Sequence, residues 1–396
     1  MSCNTGKSGK EYSMIIEKIS VVRMTFIREV WDLVIIDTKD GVRGWGEITG
    51  SMNIEGVAAI IETMGTSLQG KDATNRLECL HALTRWSYPS KLEMRTYMTA
   101  LSGVDQALWD LYAKGMGVPL HVAYGAKGVD SIPLYANLNK ALRKDRDEAI
   151  LAEHGRKAYE EGFSIIKCTP FDESEPNLLF SDLSNAFNKI KALTDHVDIS
   201  RIATDCHRRF TRSSLDSMLT ALIDQCGIPF WIEDCLDVAH QNEQPIFKAR
   251  YPQFRFAGGE DAFTNHELKK LVDSPVYDVI MPDVKYMGGP SVLLPFMCFA
   301  ERSGTHVSLH NPNGLVATAH SAHLSALLHT GMPMEFPYRA NIGRADLANP
   351  TEAVVHGAYH FNGEAGIGVE IIREALKEYG CTYTKGSWKP IKGEEL

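Results

Sequence analysis

The feature that most constrains this chain is a series of short apolar runs that each end on an acid at an even interval. RIATDCH (Arg201 to His207), PFWIEDC (Pro229 to Cys235) and FRFAGGED (Phe254 to Asp261) set Asp205, Glu233 and Glu260 apart by 28 and then 27 residues. Such runs read as buried parallel strands. The interval is that of one strand, loop and helix in an eight-unit barrel of about 250 residues. The three acids then stand at the same end of successive strands. Carboxylates gathered at one mouth repel one another unless a hard cation lies between them, and an all-oxygen donor set favours magnesium over zinc. Any one of the acids alone could simply cap the helix that follows it. Their common phase favours the metal.

The period extends in both directions. Lys167 ends GFSIIKC, and after Glu260 come Asp283 in YDVIMPDVK, His310 in THVSLHNPNG and Glu335 in PMEFPY, at steps of 23, 27 and 25 residues. No internal sequence identity accompanies the period, so the repeat is architectural. Polar residues at the C-terminal ends of barrel strands carry the chemistry of such folds. The first strand is SIPLYANL, opened near Pro133. Ahead of it the text is not barrel-like: IIEKISVVRM and WDLVIIDTKDGVRGWGEIT read as antiparallel strands turning at Lys39-Asp40-Gly41. Helical periodicity follows from Glu55 to Gly117, where Gly117 and Pro119 stop it. The predicted fold class is α/β, a modified TIM barrel with an α+β capping domain. The predicted organisation is a disordered tail over 1–13, a capping domain over 14–130, a barrel over 131–355, and a segment over 356–396 that returns to the cap.

Composition narrows the partners. A net charge of −9 with no basic run argues against nucleic acid. No stretch approaches the roughly 18 apolar residues of a membrane span, and the GKSGK text near the N-terminus lacks the upstream glycine and strand of a phosphate loop. The eight cysteines include no C-x-x-C pair, which fits reduced thiols in a cytoplasm. A small-molecule substrate and a cytoplasmic homo-oligomer are the expectation.

The two-part organisation, SGVDQALWDLYAKGMGVPL, the three acids, PDVKYMGG, HNPNG and the late Glu335 together resemble the mandelate racemase group of the enolase superfamily over most of the chain. The resemblance implies a cap built from both termini over a (β/α)7β barrel, with Mg2+ on Asp205, Glu233 and Glu260. It also implies a lysine or histidine base and an enediolate stabilised by magnesium. Lactonising enzymes and dipeptide epimerases of the superfamily carry a lysine at the sixth strand end. This chain has Asp283 there and His310 one unit later, which resembles the His-Asp dyad of the mandelate racemase group. Asp283 would fix the tautomer of His310 and raise its basicity. The alternative is a histidine that only satisfies backbone groups. Lys285, two residues on, is expected to point away from the mouth.

Racemases of the group have Lys-x-Lys where this chain has Lys167-Cys168-Thr169. A threonine is no strong base near neutral pH, so two-base racemisation through a lysine pair is not expected. Lys167 either stabilises the substrate electrostatically or forms a plain salt bridge to a metal ligand. In Asp205-Cys206-His207, the strand period of two puts both polar side chains on one face. His207 is then placed either to protonate a departing hydroxyl or only to orient Asp205. The pattern resembles sugar-acid dehydratases of the galactonate type. The leading expectation is a magnesium-dependent dehydratase with His310 as base, Asp283 orienting it, His207 as acid and Glu335 on the substrate carboxylate. An epimerase or cycloisomerase on the same scaffold is the alternative, and a non-catalytic protein that keeps the fold is a remote one. The resemblance implies that specificity comes from the cap near Arg28 to Trp31 and Ser51 to Asn53, with ordinary core as the alternative for Trp31.

Overall fold

The computed structural model describes residues 14–391 apart from 28, 85–92, 143–145, 175–179, 238–239, 274–275 and 342. The expected tail over 1–13, with Cys3, and Arg28 lie outside the described residues.

The cap begins as an antiparallel meander of β1 (Ile16–Thr25), β2 (Val30–Thr38) and β3 (Arg43–Glu47). β2 is buried along most of its length because helices cover one face and the barrel the other. The helices are α1 (Ile54–Leu68), α2 (Arg76–Thr84) and α3 (Met94–Met116), followed by the short α4 (Leu120–Ala123). The Asn53 side chain caps α1 by accepting from Gly56 N. α3 ends at Gly117 in the left-handed region, where a Cβ would be strained. α3 also lies so close to β3 that a Cβ on Gly46 would stand 2.0 Å from the Gly103 carbonyl oxygen, which is why that strand alternates glycine with larger residues.

The barrel alternates strand and helix. In chain order it runs β4 (Ser131–Asn137), α5 (Asn139–Leu142), α6 (Glu148–Glu160), β5 (Ile166–Cys168), α7 (Phe180–Thr194), β6 (Ile202–Asp205), α8 (Arg212–Gln225) and β7 (Trp231–Glu233). It continues with α9 (Gln244–Arg250), β8 (Phe256–Gly258), α10 (Asn265–Asp273), β9 (Val279–Ile280), α11 (Pro290–Arg302), β10 (His306–Val307), α12 (Leu315–Ser325) and β11 (Met334–Pro337). Strands β4 to β10 pair in parallel in sequence order, and β11 pairs in parallel with β4, so first and last strands meet. Glu335 N donates to Leu309 O at 3.3 Å, which ties β11 to the chain leaving β10. Tyr135, Ala203, Trp231, Ala257 and Val279, one from each of five strands, form a cluster of their own that fills the inside of the sheet.

The last strands divide between the two parts. β12 (Val354–Val355) and β13 (Ala358–His360) form a hairpin whose β13 pairs antiparallel with Ser131 to Pro133 of β4. The boundary expected at residue 356 cuts this hairpin in two. The chain meets the cap from Gly366 on, with Ile367 N donating to Asp110 Oδ1 of α3 at 2.8 Å, and joins the cap sheet after α13 (Arg373–Tyr379), where β14 (Gly380–Thr384) pairs with β1 and β15 (Ser387–Pro390) with β14. A two-residue strand carries too little apolar text to be read as one, so this hairpin left no signal.

Buried polar contacts fix the cap on the barrel. The Glu47 carboxylate accepts from Gly314 N and Ala317 N, both at 2.8 Å, at the N-terminus of α12. Asp105 accepts from Ser291 N at 2.8 Å at the start of α11. Among the described residues no helix is long and apolar enough to cross a membrane.

Candidate active site

The parallel register sets Asp205 directly opposite Glu233 across β6 and β7. Lys167, from β5, reaches between them with its ammonium 2.6 Å from Glu233 Oε1, 3.0 Å from Glu335 Oε1 and 3.2 Å from Asp205 Oδ2. Burial would pull this ammonium down, but the surrounding acids hold it well above the usual lysine range. The same burial, with the Asp205 charge beside it, pushes the Glu233 carboxyl up. Asp205 goes the other way: burial is outweighed by Lys167 and His207, which hold its carboxyl well below the usual range. One ammonium therefore does not balance the acids around it. The second Glu233 oxygen accepts from Trp231 Nε1 at 3.1 Å.

His310 bridges two carboxylates. Its Nδ1 is 2.9 Å from Asp283 Oδ2 and its Nε2 is 2.9 Å from Glu260 Oε2. Burial opposes a charge on this ring, but Glu260, Glu335 and Asp283 together raise it well above the ordinary histidine value. His310 in return holds Glu260 at about 2 against the effect of burial. Lys285 does not point away from this group. Its ammonium lies 3.5 Å from Asp283 Oδ2 and donates to Thr49 O of the cap at 2.6 Å. Glu335 is enclosed: Oε1 accepts from Asn137 Nδ2 at 2.5 Å beside the Lys167 contact, and Oε2 accepts from Asn311 N at 2.7 Å. Glu335 thus grips Lys167, Asn137 and Asn311.

His207 reaches the site by a different route from the one expected. β6 ends at Asp205, and His207 (φ 44°) and Arg208 (φ 58°) follow in left-handed backbone. The turn, and not strand alternation, brings the imidazole back: His207 N donates to Asp205 Oδ1 at 3.0 Å and Nε2 lies 3.3 Å from Asp205 Oδ2. The other ring nitrogen, Nδ1, is 2.6 Å from Asp172 Oδ1. Burial would lower this ring, yet Asp205 and Asp172 outweigh it and push it up to about 11. Arg208 spreads over Asp234, Glu260 and Asp261. Thr169 accepts from Arg146 at 2.5 Å and donates to Asn139 Oδ1 at 3.0 Å. The residues that sequence reasoning missed are Asp172, Arg146, Asn137 and Asn311. Asp172, Arg146 and Asn311 lie in the connections beyond strands, where the apolar period carries no information, and Asn137 closes β4.

As placed, Asp205 and Glu233 turn onto Lys167, and Glu260 onto His310 and Arg208. Among the described residues no three His, Cys, Asp or Glu side chains converge closely enough to hold a metal ion. The donor chemistry nevertheless suits a hard divalent cation: carboxylates at the ends of β6 and β7 and just beyond β8, with more negative charge than Lys167 neutralises.

Two family models match the chain, "Enolase C-terminal domain-like" over residues 150–375 and "Mandelate racemase / muconate lactonizing enzyme, N-terminal domain" over residues 15–125. A D-gluconate dehydratase of Thermoproteus tenax is 27% identical over 88% of this chain and 69% of its own length. A D-galactonate dehydratase of Variovorax paradoxus is 26% identical over 77% of this chain and 78% of its own. Among solved structures, a putative galactarate dehydratase of Agrobacterium radiobacter, bound to sodium and L-malate, superposes with a TM-score of 0.80 at 24% identity, covering 93% of this chain and 95% of that one.

Proposed function

The chain belongs to the mandelate racemase and muconate lactonizing enzyme family of enolase-like proteins, and from that premise we propose a magnesium-dependent sugar-acid dehydratase that yields a 2-keto-3-deoxy acid. The observation that carries the reading is a pair of unlike histidine sites on one acid cluster. His310 is oriented by Asp283 and His207 stands beside Asp205, while Thr169 occupies the place of a second lysine. One site serves as base and the other as acid.

Asp205, Glu233 and Glu260 would hold Mg2+. When bound, the cation supplies positive charge where the substrate carboxylate becomes an enediolate. His310 Nε2 takes the α-proton, for which the Glu260 carboxylate has to turn off that nitrogen. Asp283 on Nδ1 keeps the ring in the accepting tautomer. The C3–O bond then breaks as His207 gives its proton to the departing hydroxyl, releasing water and an enol that becomes the ketone. Lys167, fixed by Glu335, keeps a cation beside the developing charge. Sugar-acid dehydration is the activity named for both relatives above.

The test is a library of aldonic and aldaric acids assayed for 2-keto acid, with at least one substrate expected to lose water. A best substrate converted without change of mass would favour the isomerase instead. Calorimetry on Glu233→Gln should show weakened magnesium binding, and unchanged affinity would remove Glu233 from the ligand set.

A further inference from the structure

The turns that follow β5 and β6 face each other, and between them lies a chain of contacts. Asp172, on the first turn, meets His207 Nδ1, on the second, at 2.6 Å through its Oδ1. The other Asp172 oxygen is held by Arg146. Arg146 in turn donates to Thr169 Oγ1 at 2.5 Å and to Thr169 O at 3.4 Å. Asp172 is therefore fixed from behind as well as engaged in front. Beneath it, the fully buried Phe171 and Phe210 rings pack edge to face at 5.1 Å, which locks the two turns together. His207 itself is 41% exposed, so little besides Asp172 and Asp205 restrains the ring.

We infer that Asp172, clamped by Arg146, is a positioning residue that aims Nε2 of His207 into the site as the proton donor of the elimination step. The inference rests on the dehydratase reading above. The arrangement parallels Asp283 and His310 across the mouth, so each histidine has a carboxylate on Nδ1 that fixes its orientation and leaves Nε2 to exchange a proton. Without Asp172 only the 3.3 Å contact of Nε2 with Asp205 holds the ring against swinging toward solvent. A hydrogen-bonded carboxylate behind a working histidine is worth about 10- to 100-fold. The loss should fall on elimination alone, because α-proton abstraction belongs to His310.

The experiment compares wild type, Asp172→Asn and Asp172→Glu in heavy water, using the sugar acid that wild type dehydrates best. Deuterium entry at C2 and keto-acid release are followed together. Asp172→Asn should lose about 10- to 100-fold in keto-acid release while C2 exchange stays within about threefold, and Asp172→Glu should regain part of the loss. Parallel losses in both readouts, or no loss in either, would overturn the inference and assign the contact a structural role. If Asp172→Asn does not fold, Arg146→Gln carries the test, with the same split expected at smaller amplitude and unchanged release overturning it. Failure of the dehydratase reading shows separately, as a wild-type protein that releases no keto acid from any sugar acid.

Discussion

His207 and His310 at the barrel mouth meet two and three carboxylates, whereas His320 and His323 of α12, at the junction with the cap, meet none. His320 Nε2 donates to Trp45 O at 2.8 Å and its Nδ1 has no partner. His323 Nε2 donates to Ile367 O at 3.1 Å, and its Nδ1 accepts from His121 N at 3.0 Å. Burial lowers His320 to about 4 and His323 well below the ordinary value. The mouth histidines also lose solvent, His310 more than the half-exposed His207, but their acids reverse the sign. One residue type thus favours its charged form in one place and its neutral form in the other, and the neighbouring charges decide which.

The largest expected effect comes from removing a mouth histidine. His310→Asn should lower C2 proton exchange by about 10³- to 10⁴-fold while leaving the thermal midpoint close to wild type. Exchange that survives in His310→Asn but vanishes in Lys167→Ala would mean that the two roles are reversed.

A junction histidine should show the opposite pattern, affecting stability and not chemistry. Above pH 6.5 neither folded nor unfolded His320 binds a proton, so it imposes no penalty. As pH falls from about 6.5 to about 4, the unfolded chain takes up a proton that the folded site refuses, and stability falls by about 3 kcal/mol. His320→Gln can still donate toward Trp45 O but does not titrate, so it should flatten this part of the profile. Urea midpoints at pH 7 and pH 4.5 measure the difference between the two proteins. Identical profiles would show that His320 does not carry this acid sensitivity.

Much of this contrast was legible in the sequence, and part was not. The strand period placed Lys167, Asp205, Glu233, Glu260, Asp283, His310 and Glu335 in or just beyond successive strands, because continuous buried apolar runs at a regular strand-helix interval leave a countable trace. What fills the turns left no trace. Asp172 and the left-handed path of His207 depend on how two turns meet, and the Lys285 contact with Thr49 crosses from barrel to cap.

The smallest expected effect tests whether cap contacts reach the mouth. Gly50 has φ of 90°, and a Cβ there would stand 2.8 Å from Tyr286 Oη, beside Lys285. Gly50→Ala should cost about 1 to 2 kcal/mol of stability. If the seating of this loop steadies Asp283 through Lys285, C2 exchange falls as well. A lower melting temperature with unchanged exchange would confine the contact to structure.

The most direct test of the division of labour at the mouth is His207→Asn in heavy water, read for C2 deuterium and keto-acid release in the same sample. An acid that works only in elimination predicts exchange within about threefold of wild type, with keto-acid release reduced by roughly 10²- to 10⁴-fold. Equal losses in both would contradict the account and reduce His207 to a support for Asp205.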